Sequence, residues 1–337
     1  MTAKAASGLP VLVSGGAGFI GSHLCDALLA AGHEVWAVDN FATGRRANVA
    51  HLFDRPRFRL VEADVAGPLP ADVPPLGRIY HLASPASPNA GSPRSYLRLP
   101  LATAAVNTVG TERLLERARR DGARFLFTST SEIYGDPTVH PQPETYRGNV
   151  STTGPRAVYD EAKRFGETLV SLYWREFGTD GRIVRIFNTY GERMDPEDGR
   201  VIVNFIIQAL RGEPLTIYGD GRQTRSLCHV ADLVRGLVAT MEGEGLAGEV
   251  FNLGNPDERT IADIAAVVQR VCGVALPIVH HPLPTDDPAR RCPDIAKARQ
   301  RLGWSPAVAL EEGLRRTVAY FRTELETARS TPAHAGT

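Results

Sequence analysis

The sequence predicts an α/β fold, a doubly wound parallel sheet followed by a smaller α/β lobe, and three observations carry that prediction. An apolar run, Val11-Leu12-Val13-Ser14, breaks into glycines at 15, 18 and 21 and resumes at helical spacing with Ile20, Leu24 and Leu28. Strand-like and helix-like runs then alternate as far as residue 190, as crossover connections between parallel strands require. The 337 residues suffice to bury one large core or two unequal ones.

Lysine and arginine together number 38, aspartate and glutamate 38, so the formal net charge is zero. Both signs are scattered, which argues against a nucleic-acid binder. No stretch approaches the roughly 18 apolar residues of a membrane span, and residues 1–10 lack the apolar core of a secretory signal. A soluble, cytoplasmic protein is expected. Cys25, Cys228, Cys272 and Cys292 stand far apart without Cys-x-x-Cys spacing, so neither a metal centre nor a disulfide framework is expected.

Taken in order, the first element carries the most. Glycines at 15, 18 and 21 allow a tight turn, close backbone approach to a pyrophosphate and close helix–strand packing, while the helix N-terminus offers N–H groups to the anion. This reads as a Rossmann-type dinucleotide site. The second strand, residues 34–38, ends at Asp39, about twenty residues on, where a carboxylate accepts from a ribose and repels a 2′-phosphate. NAD is expected; Arg45 and Arg46 leave NADP open.

Residues 40–44, including Asn40, Thr43 and Gly44, form a polar turn against the adenosine end. A third strand at 58–61 precedes Asp64, and a fourth at 78–82 runs into Ala83 and Ser84. Residues past the strand C-termini of such a sheet face the ligand crevice, which places Asp64 for an adenine amino group and Leu82, Ala83 and Ser84 for the cofactor's centre. Residues 85–100, rich in Pro, Ser and Gly, read as a surface loop, and 101–120 as one helix. The fifth strand, 124–128, delivers Ser129, Thr130, Ser131 and Glu132 to the same edge, polar groups that packing does not require there. A helix N-cap is the alternative use of such hydroxyls.

Tyr159 and Lys163 open the next helix, four residues apart and hence on one face. The ammonium is expected to lower the phenol's pKa and equip it as a general base towards a sugar hydroxyl. A sixth strand at 182–187 ends at Asn188 and Thr189, after which the alternation loosens. A helix at 201–210, a short strand at 215–218 and helices near 230–241, 260–272 and 309–326 follow. Arg200, Arg225 and Arg291 lie beside turns or loops, where a guanidinium suits a diphosphate or carboxylate. The expected division is 8–190, mainly NAD-binding; 191–327, mainly substrate-binding; and a disordered tail over 328–337.

The combination of Gly15, Gly18, Gly21, Asp39, Asp64, Thr130, Tyr159 and Lys163 resembles the extended short-chain dehydrogenase/reductase superfamily over residues 10–326. The strings HLASPAS at 81–87, STSEIYGD at 129–136, GPRAVYDEAKR at 154–164, DGRV at 198–201 and DDPARR at 286–291 look like its UDP-glucuronate decarboxylases. The resemblance implies NAD contacts also from Phe19, Ile20, Val65, Thr128 and Thr189, and substrate contacts from Ser131, Asn188, Arg200, Tyr218 and Arg225. It implies that Thr130 and Tyr159 hold the sugar's 4-hydroxyl and that Lys163 tunes Tyr159 and holds the nicotinamide ribose. Glu132 would assist at C5 and C6, and Arg291 would contact the carboxylate or diphosphate.

The implied reaction is NAD-dependent decarboxylation of UDP-glucuronate to UDP-xylose through a 4-keto sugar. The alternatives are a UDP-glucuronate 4-epimerase or another NDP-sugar epimerase or 4,6-dehydratase; Ser131, standing where dehydratases carry an acid, disfavours the last. The resemblance also implies a homodimer paired through helices 101–120 and 157–177. One departure stands out: many family members carry a Lys two residues before the Asn matching Asn107, where this chain has Ala105.

Overall fold

The computed structural model describes residues 8–283 and 290–330. Residues 286–289 of the DDPARR string and 331–337 of the expected tail lie outside the described residues.

The first lobe alternates as expected. It comprises β1 (Val11–Ser14), α1 (Phe19–Ala30), β2 (Val35–Asp39), β3 (Phe58–Glu62), β4 (Arg78–His81), α2 (Pro100–Ala105), α3 (Thr111–Asp121), β5 (Arg124–Thr130), α4 (Ala157–Phe177) and β6 (Gly181–Ile186). Beyond it come β7 (Thr189–Tyr190), α5 (Val201–Arg211), β8 (Leu215–Tyr218), β9 (Thr224–Ser226), β10 (Cys228–His229), α6 (Val230–Glu242) and β11 (Val250–Leu253). The chain ends with β12 (Glu258–Thr260), α7 (Ile261–Cys272), β13 (Ile278–His281), α8 (Ala296–Leu302) and α9 (Leu310–Ser330).

Seven of these strands form one parallel sheet in the order β11-β6-β5-β4-β1-β2-β3. The order reverses between β1 and β4, so the crevice opens at their C-terminal ends. Helices cover both faces, which is why strands such as β1 and β5 are buried along their whole length. On one face Leu24 and Leu28 of α1 meet Leu233 and Leu237 of α6; on the other Leu114 and Leu115 of α3 and Val170 of α4 fill the core. Each such side chain contributes about 1.5–3 kcal/mol on burial. A separate core joins α5, α7 and α9 through Phe205, Ile206, Val268, Leu314 and Phe321.

Not everything beyond residue 190 belongs to that second core. Strand β11 returns to pair with β6 from Val250 opposite Ile183 to Leu253 opposite Ile186. Four residues bounded by turns carry too little periodicity to be read as a strand from sequence.

Three expectations need correction. The helix expected at 101–120 is interrupted by a π-turn at Val106–Gly110. Thr103, Thr108 and Thr111 each donate a hydroxyl hydrogen bond to the carbonyl four residues back, which loosens a helix locally. Residues 85–100 form a loop that is only partly at the surface: Ala90, Gly91 and Pro93 are exposed, but Ser87, Ser92, Ser95 and Tyr96 are buried, with the Ser95 hydroxyl donating to the Ser87 carbonyl at 2.8 Å and the Ser87 hydroxyl to the Asp198 carbonyl at 2.6 Å. Residues 328–330 continue α9 rather than starting the tail, because neither Gly nor Pro interrupts the sequence between Gly313 and Pro332. No described helix is long and apolar enough to cross a membrane.

Candidate active site

A cleft open to solvent follows the C-terminal edge of the sheet. At its head stands the glycine turn. Gly15 has φ +73°, and a Cβ there would meet the Ala83 amide nitrogen at 2.8 Å; at Gly21 it would meet the Gly15 carbonyl oxygen at 2.0 Å. Gly18 caps α1 with no side-chain hydrogen bond, leaving its first-turn N–H groups to an anion. Gly16, which the triplet did not single out, is fixed just as firmly, since a Cβ would stand 2.6 Å from that of Ala37.

Asp39 is buried at the end of β2 and accepts from the Ala17 N–H at 2.9 Å and the Phe41 N–H at 2.8 Å. Burial pushes its carboxyl up, and those two donors pull it part of the way back. Each oxygen keeps accepting capacity for a ribose. Arg45 is committed to Glu324 at 2.7 Å, and Arg46 to Glu62 while lying 4.5 Å over the Phe41 ring. Both cations that had left NADP open are thus paired with carboxylates. Asn40 donates to Asp64 at 3.1 Å, and Gly44 is fixed because a Cβ would stand 2.6 Å from an Asp39 oxygen.

Phe19, Ile20, Thr43, Asp64, Val65, Leu82, Ala83, Ser84 and Thr128 line the same cleft, as expected of cofactor contacts. A tight glycine turn, an open helix N-terminus and a ribose-accepting carboxylate along one cleft fit a dinucleotide. Thr189 is placed elsewhere: it is buried, and its hydroxyl donates to the Phe187 carbonyl at 2.9 Å.

Beneath the cleft lies a polar relay that sequence reading missed. His81 sits between the Ser14 hydroxyl at 2.7 Å and the Thr111 hydroxyl at 3.1 Å, and burial lowers its pKa to about 3, so the ring is neutral. The Thr128 hydroxyl donates to the His81 carbonyl at 2.9 Å, and Asn107 reaches Ser84 at 2.8 Å.

Strand β5 and helix α4 bring the catalytic candidates together. They pack closely because Gly166 faces Phe127, where a Cβ would stand 2.4 Å from the ring. Tyr159 shares a hydrogen bond with the Thr130 hydroxyl, and Tyr96 stacks on it. The expected tuning of Tyr159 by Lys163 is not what this structure displays. Burial raises the Tyr159 phenol, and the Thr130 hydrogen bond is the group that opposes the rise. Lys163 lies 6.0 Å from the Tyr159 ring centroid, donates to the Thr128 carbonyl at 2.7 Å, and is itself lowered to about 7 by burial.

Glu132 follows in a tight turn whose start is capped by Thr130. Arg156 and Arg291 each hold one of its carboxylate oxygens. Burial alone would raise its pKa, but the two guanidinium groups outweigh burial and hold it below the usual carboxylate range. Arg156 carried no expectation from the sequence, where an arginine ahead of a helix is unremarkable. Ser131 is buried beside Glu132.

The remaining substrate candidates divide. Arg200 lines the cleft and is held by Asp198 at 2.8 Å, next to an Arg94–Asp195 ion pair. Asn188 lies between β6 and β7, its carbonyl accepting from the Cys228 N–H at 2.9 Å. Arg225 lines a smaller depression with Asn255 and Asp257, though its charge still reaches Glu132. Tyr218 is exposed at the end of β8, 5.8 Å from the His281 ring. Among the described residues, one set of metal-type donors comes within 4.8 Å, His140, Glu258 and Cys292. The Arg290 guanidinium already bridges His140 and Glu258 at 2.8 and 3.2 Å.

Comparison with known proteins decides the family. The model of the NAD-dependent epimerase/dehydratase family matches residues 11–254. The chain belongs to that family. It is 51% identical to UDP-glucuronic acid decarboxylase 1 of Xenopus tropicalis over 316 residues, covering 94% of this chain and 73% of that protein. With UDP-glucuronic acid decarboxylase 4 of Arabidopsis thaliana it shares 53% over 314 residues, 93% of this chain and 69% of that one. Among solved structures, UDP-glucuronic acid 4-epimerase from Bacillus cereus, in complex with UDP-glucuronic acid and NAD, matches with a TM-score of 0.83. It shares 30% identity, over 94% of this chain and all of that one. The membership drawn from the sequence motifs, and the Rossmann-type sheet expected with it, are borne out.

Proposed function

We propose that this family member converts UDP-glucuronate to UDP-xylose and CO2. The observation that carries this reading is the Glu132 carboxylate held between Arg156 and Arg291 close to the Thr130–Tyr159 hydrogen bond. It joins a group that manages the 4-hydroxyl proton to a charged cluster suited to a sugar carboxylate. The roughly 50% identity to UDP-glucuronic acid decarboxylases supports the same choice.

The glycine turn and Asp39 would hold NAD along the cleft, where it would supply a reversible hydride acceptor for C4. Tyr159, oriented by Thr130, accepts the 4-hydroxyl proton and gives it back at the end of the cycle. Lys163, beside the Thr128 carbonyl, would hold the cofactor's nicotinamide ribose. Once C4 is a ketone, the C6 carboxylate is β to it and leaves as CO2, the electron pair passing to the C4 oxygen. The Thr130 and Tyr159 hydroxyls steady that oxygen. The clamped Glu132 and the arginines around it fix the carboxylate's orientation.

The structure's apolar surface supports a dimer. Phe165 and Leu172 of α4, seven residues apart and so on one face of the helix, are 51 and 38% exposed, and Leu101 of α2 is 85% exposed. A second copy pairing on α2, α3 and α4 would cover them across a two-fold axis. The four free cysteines suit a reducing compartment such as the cytoplasm.

The reading is tested by incubating the protein with UDP-glucuronate and no added reductant. UDP-xylose is the expected product, and UDP-galacturonate with its carboxylate retained would replace this reading with a 4-epimerase.

A further inference from the structure

Decarboxylation of a 4-keto uronate replaces a C–C bond by a C–H bond, so each turnover consumes one proton. The site needs a donor for it, and the argument that follows rests on the decarboxylase reading. Tyr159 takes and returns the 4-hydroxyl proton, a net of none. Glu132 is held as a carboxylate by Arg156 and Arg291, and a guanidinium does not give up its proton. Lys163 directs its ammonium at the Thr128 carbonyl.

One acid remains. Asp160 follows Tyr159 in the first turn of α4 and is 6% exposed. Among the described residues its Oδ1 has no hydrogen-bond partner. A buried carboxylate without donors is costly, and a neutral carboxylic acid much less so. The groups facing it are Glu132 from the turn after β5, Arg156 and Glu161 from its own segment, Arg291 from the loop before α8, and Tyr96 from the loop before α2. Burial and then Glu132 raise it, Arg156 and Arg291 oppose them, and the balance stands at about 7.

We propose that Asp160 is the proton store of the reaction, supplying the proton that C5 takes up after CO2 has left. The C5–C6 pair that moved into the enolate returns to form the C5–H bond while the Asp160 O–H bond breaks. Water then reprotonates the carboxylate, so the one proton consumed per turnover comes from solvent.

The experiment compares wild type with Asp160→Asn and Asp160→Glu on UDP-glucuronate, following CO2 release across pH 6 to 8, either side of about 7. Wild type should lose kcat as pH rises through that value, since the acid must be protonated. Asp160→Asn should lose on the order of 10²-fold in kcat, lose that alkaline limb and gain a larger solvent deuterium isotope effect. Asp160→Glu should restore the limb. A variant with the wild-type pH profile and isotope effect overturns the proposal. Should the Asn variant not fold, carbon-13 NMR of labelled aspartate in the wild type decides. A carboxyl titrating near 7 supports the store, and one titrating in the ordinary range overturns it. A wild type that releases no CO2 overturns the decarboxylase reading itself, and this inference with it.

Discussion

Tyr96 lies flat against Tyr159, with ring centroids 4.8 Å apart and planes 7° from parallel. Tyr96 belongs to the segment before α2 and Tyr159 to α4, so the phenol proposed to handle the 4-hydroxyl proton is steadied by a loop as well as by the sheet. An aromatic pair of this kind adds about 0.5–1.5 kcal/mol beyond its area burial. If that is spent on orientation, Tyr96→Leu should lower kcat by up to about tenfold. Tyr96→Phe, which keeps the stack, should stay within about twofold. Equal losses in the two variants by steady-state assay would contradict the orienting role.

Tyr159→Phe removes the ionisable hydroxyl and keeps the ring. It should cost on the order of 10²–10⁴ in kcat, while NAD titration shows little change in affinity. Near-normal turnover would assign the proton to another group.

His81 gives a pH dependence with a definite sign. Its pKa is about 3 in the fold against an ordinary 6.5, so between those values the unfolded chain binds more protons. Stability from this residue is therefore complete above about pH 6.5 and falls as pH drops towards 3. Urea denaturation midpoints should decline over that window, and His81→Gln should flatten the decline. An unchanged slope in the variant would place the acid sensitivity elsewhere.

Arg291 is almost fully buried against Glu132, and removing one partner of such a pair costs about 3–5 kcal/mol. Arg291→Ala should destabilise the fold, and adding Glu132→Ala should recover part of the loss in urea denaturation. In calorimetry the single variant should lose more affinity for UDP-glucuronate than for UDP-xylose, because only the former carries the C6 charge. Equal losses would make Arg291 a diphosphate ligand or a purely structural residue.

The exposed face of α4 predicts assembly. Light scattering at micromolar concentration should give a dimer mass, and Phe165→Glu with Leu172→Glu should give a monomer. A monomeric wild type would leave Phe165, Leu172 and Leu101 without the partner proposed for them.

Local patterns made most of the first lobe legible. The apolar run at 11–14 followed by spaced glycines marked β1 and α1, and strand ends pointed to Asp39, Asp64 and Thr130 because a parallel sheet collects its C-termini on one edge. What escaped depends on contacts distant in sequence. Tyr96 hides in a Pro- and Ser-rich stretch whose hydroxyls satisfy one another, so composition suggested a surface loop. Arg156 matters only because Glu132, 24 residues earlier, folds back onto it. The tuning expected of Lys163 rested on helical spacing and on the family resemblance, and neither reports burial; burial dominates both residues.

The central claim turns on the fate of one carbon. UDP-glucuronate labelled at C6 should lose its label to CO2 and leave unlabelled UDP-xylose, with no net reduction of NAD. Label retained in a UDP-hexuronate would contradict the account.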